Sequence, residues 1–294
     1  MSRPVITEPG LYPDIDEDWY HADPVQGGSL SVSGAKLLLQ APAKYDYARR
    51  NGSKHTSAMD LGTRVHAMVL GKGGEHLAEL PYDEYRTDEA KAARDAALAA
   101  GKIPTKPREM AEAQEIADAM LSHPTTGGLL AEIDAEVSMF WPDDEFGIWC
   151  RARADAQTYF GGGPEMLGVP TMVDVKKTKD ASPEGFAKSV FEYGYHRQDP
   201  WYREGWAYHL GCDWQDIDFV FAVVEEEPPH LVATYRITPE HVDLGREQNR
   251  IARERYRDCV KSGIWPGYSE EIEDLELPRY GVQRIEKDIS DYYR

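Results

Sequence analysis

Cysteine is scarce in this chain of 294 residues: only Cys150, Cys212 and Cys259 occur, far apart and odd in number. That set excludes a disulfide framework and a CxxC-type zinc site, and points to buried free thiols. Long apolar runs are also missing. No stretch reaches the roughly eighteen residues that a membrane-spanning helix needs. The N-terminus "MSRPVITEPGLYPDIDEDWY" lacks the basic-then-apolar order of a signal peptide, so a cytoplasmic location is expected. Positive charge is the third shortage, with 33 Lys and Arg against 52 Asp and Glu and a net charge of −19. Such a balance argues against a protein that coats nucleic acid non-specifically, because that mode depends on many cation–phosphate contacts. It leaves room for an enzyme that grips DNA through a local basic surface and uses carboxylates to hold metal. The acidic runs "DIDEDWYHAD" and "EEIEDLE" read as solvated faces. No internal repeat or low-complexity segment is visible. What is present, 41% hydrophobic and 11% aromatic residues, is ample for a packed core.

Periodicity divides the chain. The first half reads as helical. In "SLSVSGAKLLLQAPAKYDYARR", Ser33 is a plausible N-cap and Pro42 a stop. In "TSAMDLGTRVHAMVLG", Leu61, Val65, Met68 and Val69 recur at helical spacing before a capping Gly71. Two more helices are expected over 88–100 and 107–123. From about Ile133 the pattern alternates: "AEVSMFWPDDEFGIWCRARADAQTYF" predicts two strands around a turn at "PDDEFG". After the loop "GGGPEMLGVP" come a third strand, "TMVDVKKT", two helices opened by Pro183 and Pro200, two strands, and a long helix from Pro239 to Lys261. The tail reads as irregular. The expected fold is α/β, a mixed central sheet flanked by helices with a helical N-terminal elaboration. Its parts would be 1–132, 133–262 and a tail, 263–294, integrated into one domain.

The candidate chemistry sits in "MVDVKKTKD". Residues two apart on a strand point to one face, so Asp174 and Lys176 can converge on one reacting group. The second acid-x-Lys copy, Glu89-Ala90-Lys91, lies in a helical stretch where residues two apart diverge. Hydrolysis of a phosphodiester needs a hard divalent cation on oxygen ligands. Asp155, on the preceding strand, can supply a second carboxylate, and the Val175 carbonyl another oxygen. Lys176 would position or deprotonate the attacking water, or stabilise charge on phosphorus. The plain alternative is an exposed Asp174–Lys176 ion pair worth at most about 1 kcal/mol. His66 taken alone reads as a core histidine. Gln198 and Tyr202 share a helix face if that segment is helical.

Taken together, "SLSVSGAKLLLQAPAKY", "TSAMDLGTRVHAMVLG", "CRARADA", "VDVKKTKDASPEGFAKSV" and "YGYHRQDPWYREGWAY" resemble the PD-(D/E)XK nuclease superfamily, and within it the RecE-type exonuclease VIII group of phages and prophages. The resemblance runs from about Ser29 to Thr238. It implies that Asp155, Asp174, His66 and the Val175 carbonyl hold the metal, that Lys176 is the catalytic lysine, and that Gln198 and Tyr202 form the QxxxY element that meets substrate. Glu136 is a further, accessory acid. The implied cofactor is Mg²⁺, for which Mn²⁺ can substitute. The implied activity is digestion of linear duplex DNA from its ends, 5′ to 3′, leaving 3′ single strands for recombination. Implied partners are DNA ends, a RecT-type annealing protein, and further copies of the chain in a ring, commonly a tetramer, in the cytoplasm of a bacterial host. The loop "GGGPEMLGVP" widens the Asp155–Asp174 interval, so the hairpin is expected to bulge outward. Two other readings stay open: a RecB-like nuclease acting on single-stranded or flapped ends, and a catalytically silent DNA-binding protein with the same fold. A version with an iron–sulfur cluster needs four cysteines and is excluded by three.

Overall fold

Alternation in the middle of the chain builds one seven-stranded sheet in the computed structural model, which describes residues 5–52, 57–162 and 168–294. Its strands are numbered along the chain: β1 (Gly10–Tyr12), β2 (Ser29–Ser31), β3 (Leu77–Glu79), β4 (Ile103–Thr105), β5 (Asp134–Asp143), β6 (Ile148–Phe160), β7 (Val169–Thr178), β8 (Asp218–Glu225) and β9 (Val232–Tyr235). The main sheet runs β1-β5-β6-β7-β8-β9, and β2 pairs with β6. Pairing is antiparallel except for β7–β8 and β2–β6. A separate small ladder joins β3 to β4. The mixed sheet matches the expected fold class. The first part of the chain is not wholly helical, however, since it contributes β1 and β2 to the sheet. Three-residue strands are too short to display a period of two.

The helices are α1 (Glu17–His21), α2 (Val32–Gln40), α3 (Pro42–Asn51), α4 (Ser57–Leu70), α5 (Asp88–Ala99), α6 (Pro107–Ser122), α7 (Pro124–Leu129), α8 (Pro183–Tyr193), α9 (Gln198–Leu210), α10 (Pro239–Ser262) and α11 (Arg279–Tyr292). The cap of α2 is Ser31 rather than Ser33, with its Oγ accepting from the Gly34 amide at 3.2 Å. Pro42 does stop α2, and it also opens α3 as a first helical residue. The tail departs from expectation. It carries α11, whose Val282, Ile285 and Ile289 recur at helical spacing on a helix with no buried residue.

Helices cover both faces of the sheet. On one, Leu38 of α2, Phe186 of α8, Trp201 and Trp206 of α9 and Tyr256 of α10 pack against Trp141, Met172, Phe219 and Phe221. On the other, Val65 and Val69 of α4 and Ile116 and Met120 of α6 pack against Val173, Val175, Val220 and Val224. β8 is buried on both faces, which accounts for its unbroken apolar run, "FVFAVV". Full burial of each large side chain contributes about 1.5–3 kcal/mol, so the two layers hold the sheet from both sides. The seat of α9 depends on Gly205. A Cβ there would lie 2.7 Å from the Trp141 ring, so only glycine lets the helix approach β5 this closely.

Candidate active site

The sheet is interrupted at one place, and the acids expected from sequence meet there. Along one edge of β6, β2 pairs with Trp149–Arg151 and β7 pairs from Ala156 onward, leaving the residues between without a strand partner on that edge. On the opposite edge Val137 pairs with Ala154 and Ala135 with Ala156, but Glu136 and Asp155 between them do not pair. Glu136 has φ +52°, a left-handed turn within the strand. As a result β6 turns over at Asp155: Ala152 and Ala154 pack in one core and Ala156 in the other, although residues two apart on a regular strand share a face. The ladder Ala156↔Val173, extended by one step, sets Asp155 against Asp174. No outward bulge is needed, because the hairpin closes at Phe160↔Val169 and the loop lengthens only beyond that pair. Residues 163–167 of that loop lie outside the described residues.

Asp174 is 1% exposed. Its Oδ2 forms an ion pair with Lys176 Nζ, and its Oδ1 accepts from Gln198 Nε2. Burial, above all, and the nearby Asp155 raise the Asp174 carboxyl to about 6, against the opposing pull of Lys176. Burial alone would lower the Lys176 ammonium. The carboxylates of Asp174 and Asp155 outweigh it, so its pKa is raised and the group stays charged. The plain alternative of an exposed ion pair is therefore overturned, since this pair is enclosed. Gln198 and Tyr202 do share a face of α9, with Trp201 fully buried beside them and donating from its indole to the Arg151 carbonyl at 3.0 Å. Burial, above all, drives the Tyr202 hydroxyl well above its ordinary pKa, with the nearby Gln198 amide opposing, so the phenol remains protonated.

His66 projects from α4 to the same point. Its Nε2 lies 3.2 Å from the Val175 carbonyl and 3.7 Å from Asp155 Oδ2. Asp155 Oδ2 also accepts from the Val175 amide at 2.8 Å, which ties β6 to β7 where their ladder ends. Among the described residues, no three His, Cys, Asp or Glu side chains stand together as a ready-made metal set. Asp174 is turned toward Lys176 and Gln198, and His66 toward a backbone carbonyl. The oxygens nevertheless fit a hard divalent cation. Asp174 Oδ2 is buried with the Lys176 ammonium as its partner, Asp155 faces Asp174, and the Val175 carbonyl follows Asp174 directly in the chain.

Three details were not legible beforehand. Lys176 Nζ stands 4.7 Å from the centroid of the Tyr195 ring, which is itself stacked on Phe186 at 6.1 Å. No motif marks Tyr195. Arg153 lines the same cleft, donates to Ser138 Oγ at 2.9 Å and sits over the Tyr20 ring. A charged residue alternating inward in "CRARADA" was its one signal. Lys177 pairs with Glu226 in a half-buried setting, and both residues line the same cleft. Lys179 is exposed. Glu136 lines the cleft, with its carboxyl raised mainly by burial. The cleft encloses about 1110 Å³, and its walls include His66, Asp155, Asp174, Lys176, Gln198 and Tyr202.

A mixed sheet opened at paired carboxylates, with a lysine two residues along the second strand, defines a PDDEXK-like fold. The chain belongs to the family described as "PDDEXK-like domain of unknown function (DUF3799)", whose model matches residues 31–278. A crystal structure of a Eubacterium rectale protein described as "Putative exonuclease" is similar to it, with a TM-score of 0.54, 18% identity, and coverage of 85% of this chain and 90% of that one. That likeness bears on the fold. No curated protein matches the chain. No helix among the described residues is long and apolar enough to cross a membrane.

Proposed function

We propose that this protein is a divalent-metal-dependent nuclease that hydrolyses DNA phosphodiesters. The observation that carries the reading is Asp174: a buried carboxylate set opposite Asp155, paired with Lys176 through one oxygen and with Gln198 through the other. Asp155, Asp174 and the Val175 carbonyl would hold the cation, which when bound supplies charge neutralisation at phosphorus and a water of lowered pKa. Lys176 keeps its proton beside two acids and offers the scissile phosphate a fixed positive charge. His66 fixes the Val175 carbonyl and the Asp155 carboxylate relative to each other. Gln198 orients Asp174, a positioning task in place of the substrate contact expected from sequence.

The finer reading is an exonuclease, using Mg²⁺ with Mn²⁺ as a substitute, that digests linear duplex from its ends 5′ to 3′. In that reading it acts as a ring of several copies and passes its 3′ strand to an annealing protein of the RecT type in a bacterial cytoplasm. Its support is the sequence resemblance, together with the name of the Eubacterium rectale neighbour. The test incubates the full chain with linear and closed circular duplexes, with magnesium, manganese or chelator. Metal-dependent loss of the linear DNA alone is expected. Nicking of the circle would make the enzyme an endonuclease, and no cutting of any DNA under either metal would overturn the proposal.

A further inference from the structure

In so acidic a chain, cations without carboxylate partners are informative, and two stand at one edge of the cleft. Lys36 of α2 donates to the Tyr193 carbonyl at 3.1 Å. Arg197, in the turn before α9, donates from Nη1 to Gln248 Oε1 at 3.0 Å, and its Nε is buried with no partner among the described residues. Neither makes an ion pair among the described residues. Burial and then the field of Arg197 lower the Lys36 ammonium, with Glu192 the acid that opposes them. Both groups lie on the turn at Gly194, where φ is +74° and a Cβ would sit 1.8 Å from Arg197 Nη2.

Tyr193 stands beside these cations, on the wall of the cleft and 51% exposed. Its ring is held by stacking on Tyr195 at 5.6 Å and 29°, with Lys36 Nζ 5.6 Å from its centroid. Tyr195 carries Lys176. An ordered, exposed ring therefore leads from the catalytic lysine to a pair of cations. Capping of the α8 carbonyls accounts for Lys36 and the bond to Gln248 occupies one amino group of Arg197, which leaves the buried Nε of Arg197 without a partner among the described residues and the exposed ring without a task. A fixed aromatic surface beside cations suits a nucleobase and its flanking phosphates.

We propose that Tyr193, Lys36 and Arg197 form a subsite for single-stranded DNA at the mouth of the cleft, Tyr193 stacking a base and the two cations holding the adjoining phosphates. The choice of ligand rests on the nuclease reading. Inside a duplex both faces of every base are covered by its neighbours, and only the terminal pair leaves one open, so the subsite names the form in which the strand passes this edge.

The test is fluorescence anisotropy on the full chain in chelator, where nothing is cut, with a labelled oligothymidylate of about twenty nucleotides and a blunt duplex of equal length. Tyr193→Ala should weaken oligothymidylate binding on the order of 5- to 150-fold, and Tyr193→Trp should retain it. Blunt-duplex binding should change less than about twofold. Lys36→Gln should lower the salt dependence of single-strand binding by about 0.7 in slope. Tyr193→Ala with parental melting and parental oligothymidylate affinity overturns the subsite, as does equal weakening for the duplex. Catalysis is judged separately. A parent that binds through Tyr193 but cuts nothing with magnesium removes the nuclease and leaves the subsite, whereas cutting with unchanged Tyr193→Ala binding does the reverse.

Discussion

Replacing Asp174 with Asn tests the central site through stability as well as activity. The side chain is enclosed, and its carboxyl is raised to about 6 from an ordinary 3.8, with burial as the main cause. A raised carboxyl favours the folded state while protonated, so its stabilising effect is complete below the unfolded value and is lost as pH rises through the folded one. The gap between those two values is worth roughly 3 kcal/mol, lost mainly between about pH 4 and pH 6. Asn has nearly the same shape and never ionises. Its carbonyl can face Lys176 and its amide can face Gln198, once the Gln198 side chain turns over to present its own oxygen. In chelator, the Asp174→Asn variant should therefore gain about 2 kcal/mol on the parent between pH 4.5 and pH 7.5, a rise on the order of 4 °C in relative Tm. Calcium or magnesium at pH 7.5 should reverse the order, stabilising the parent by the logarithm of the metal concentration over Kd and leaving the variant unmoved. The assay is thermal unfolding at the two pH values, with and without metal. A difference in Tm between parent and variant that stays the same at pH 4.5 and pH 7.5 in chelator would refute the burial argument. An equal metal-induced rise in both would remove Asp174 as a ligand.

Lys176→Ala should reduce DNA cutting by at least about 100-fold while the metal-induced rise in Tm persists. Near-parental digestion by that variant would exclude Lys176 from catalysis. His66→Ala should lower cutting on the order of 10- to 100-fold through loss of its hold on Asp155 and Val175, as read from initial rates, and an unchanged rate would return His66 to a packing role. Tyr195→Leu removes a cation–π contact of about 0.5–2 kcal/mol from Lys176, so turnover should drop about 2- to 30-fold with duplex affinity in chelator retained, whereas Tyr195→Phe should behave as the parent. Glu136→Gly relieves a left-handed φ and should stabilise by about 1 kcal/mol in thermal melts without loss of cutting. A loss beyond tenfold in a folded variant would instead make Glu136 the accessory acid.

Local periodicity was enough to place much of this molecule. The spacing of apolar residues and the positions of Pro107 and Pro239 mark α6 and α10, and alternation marks the hairpin of β5 and β6. The two-residue period of a strand puts Asp174 and Lys176 on one face, and the helical period does the same for Gln198 and Tyr202. These relations hold over a few residues, so the chain carries them wherever it folds. The placement of Asp155 was different. It depends on Glu136 twisting one neighbouring strand while β2 and β7 divide the other edge of β6, three segments far apart in sequence. The seat of Lys176 over Tyr195, the capture of Lys177 by Glu226 and the use of Gln198 to orient Asp174 are likewise contacts across the fold. The sequence by itself determined which side chains share a face. Only the tertiary structure decided which faces meet and which charges are buried when they do, because pairing between distant segments leaves no period in either one.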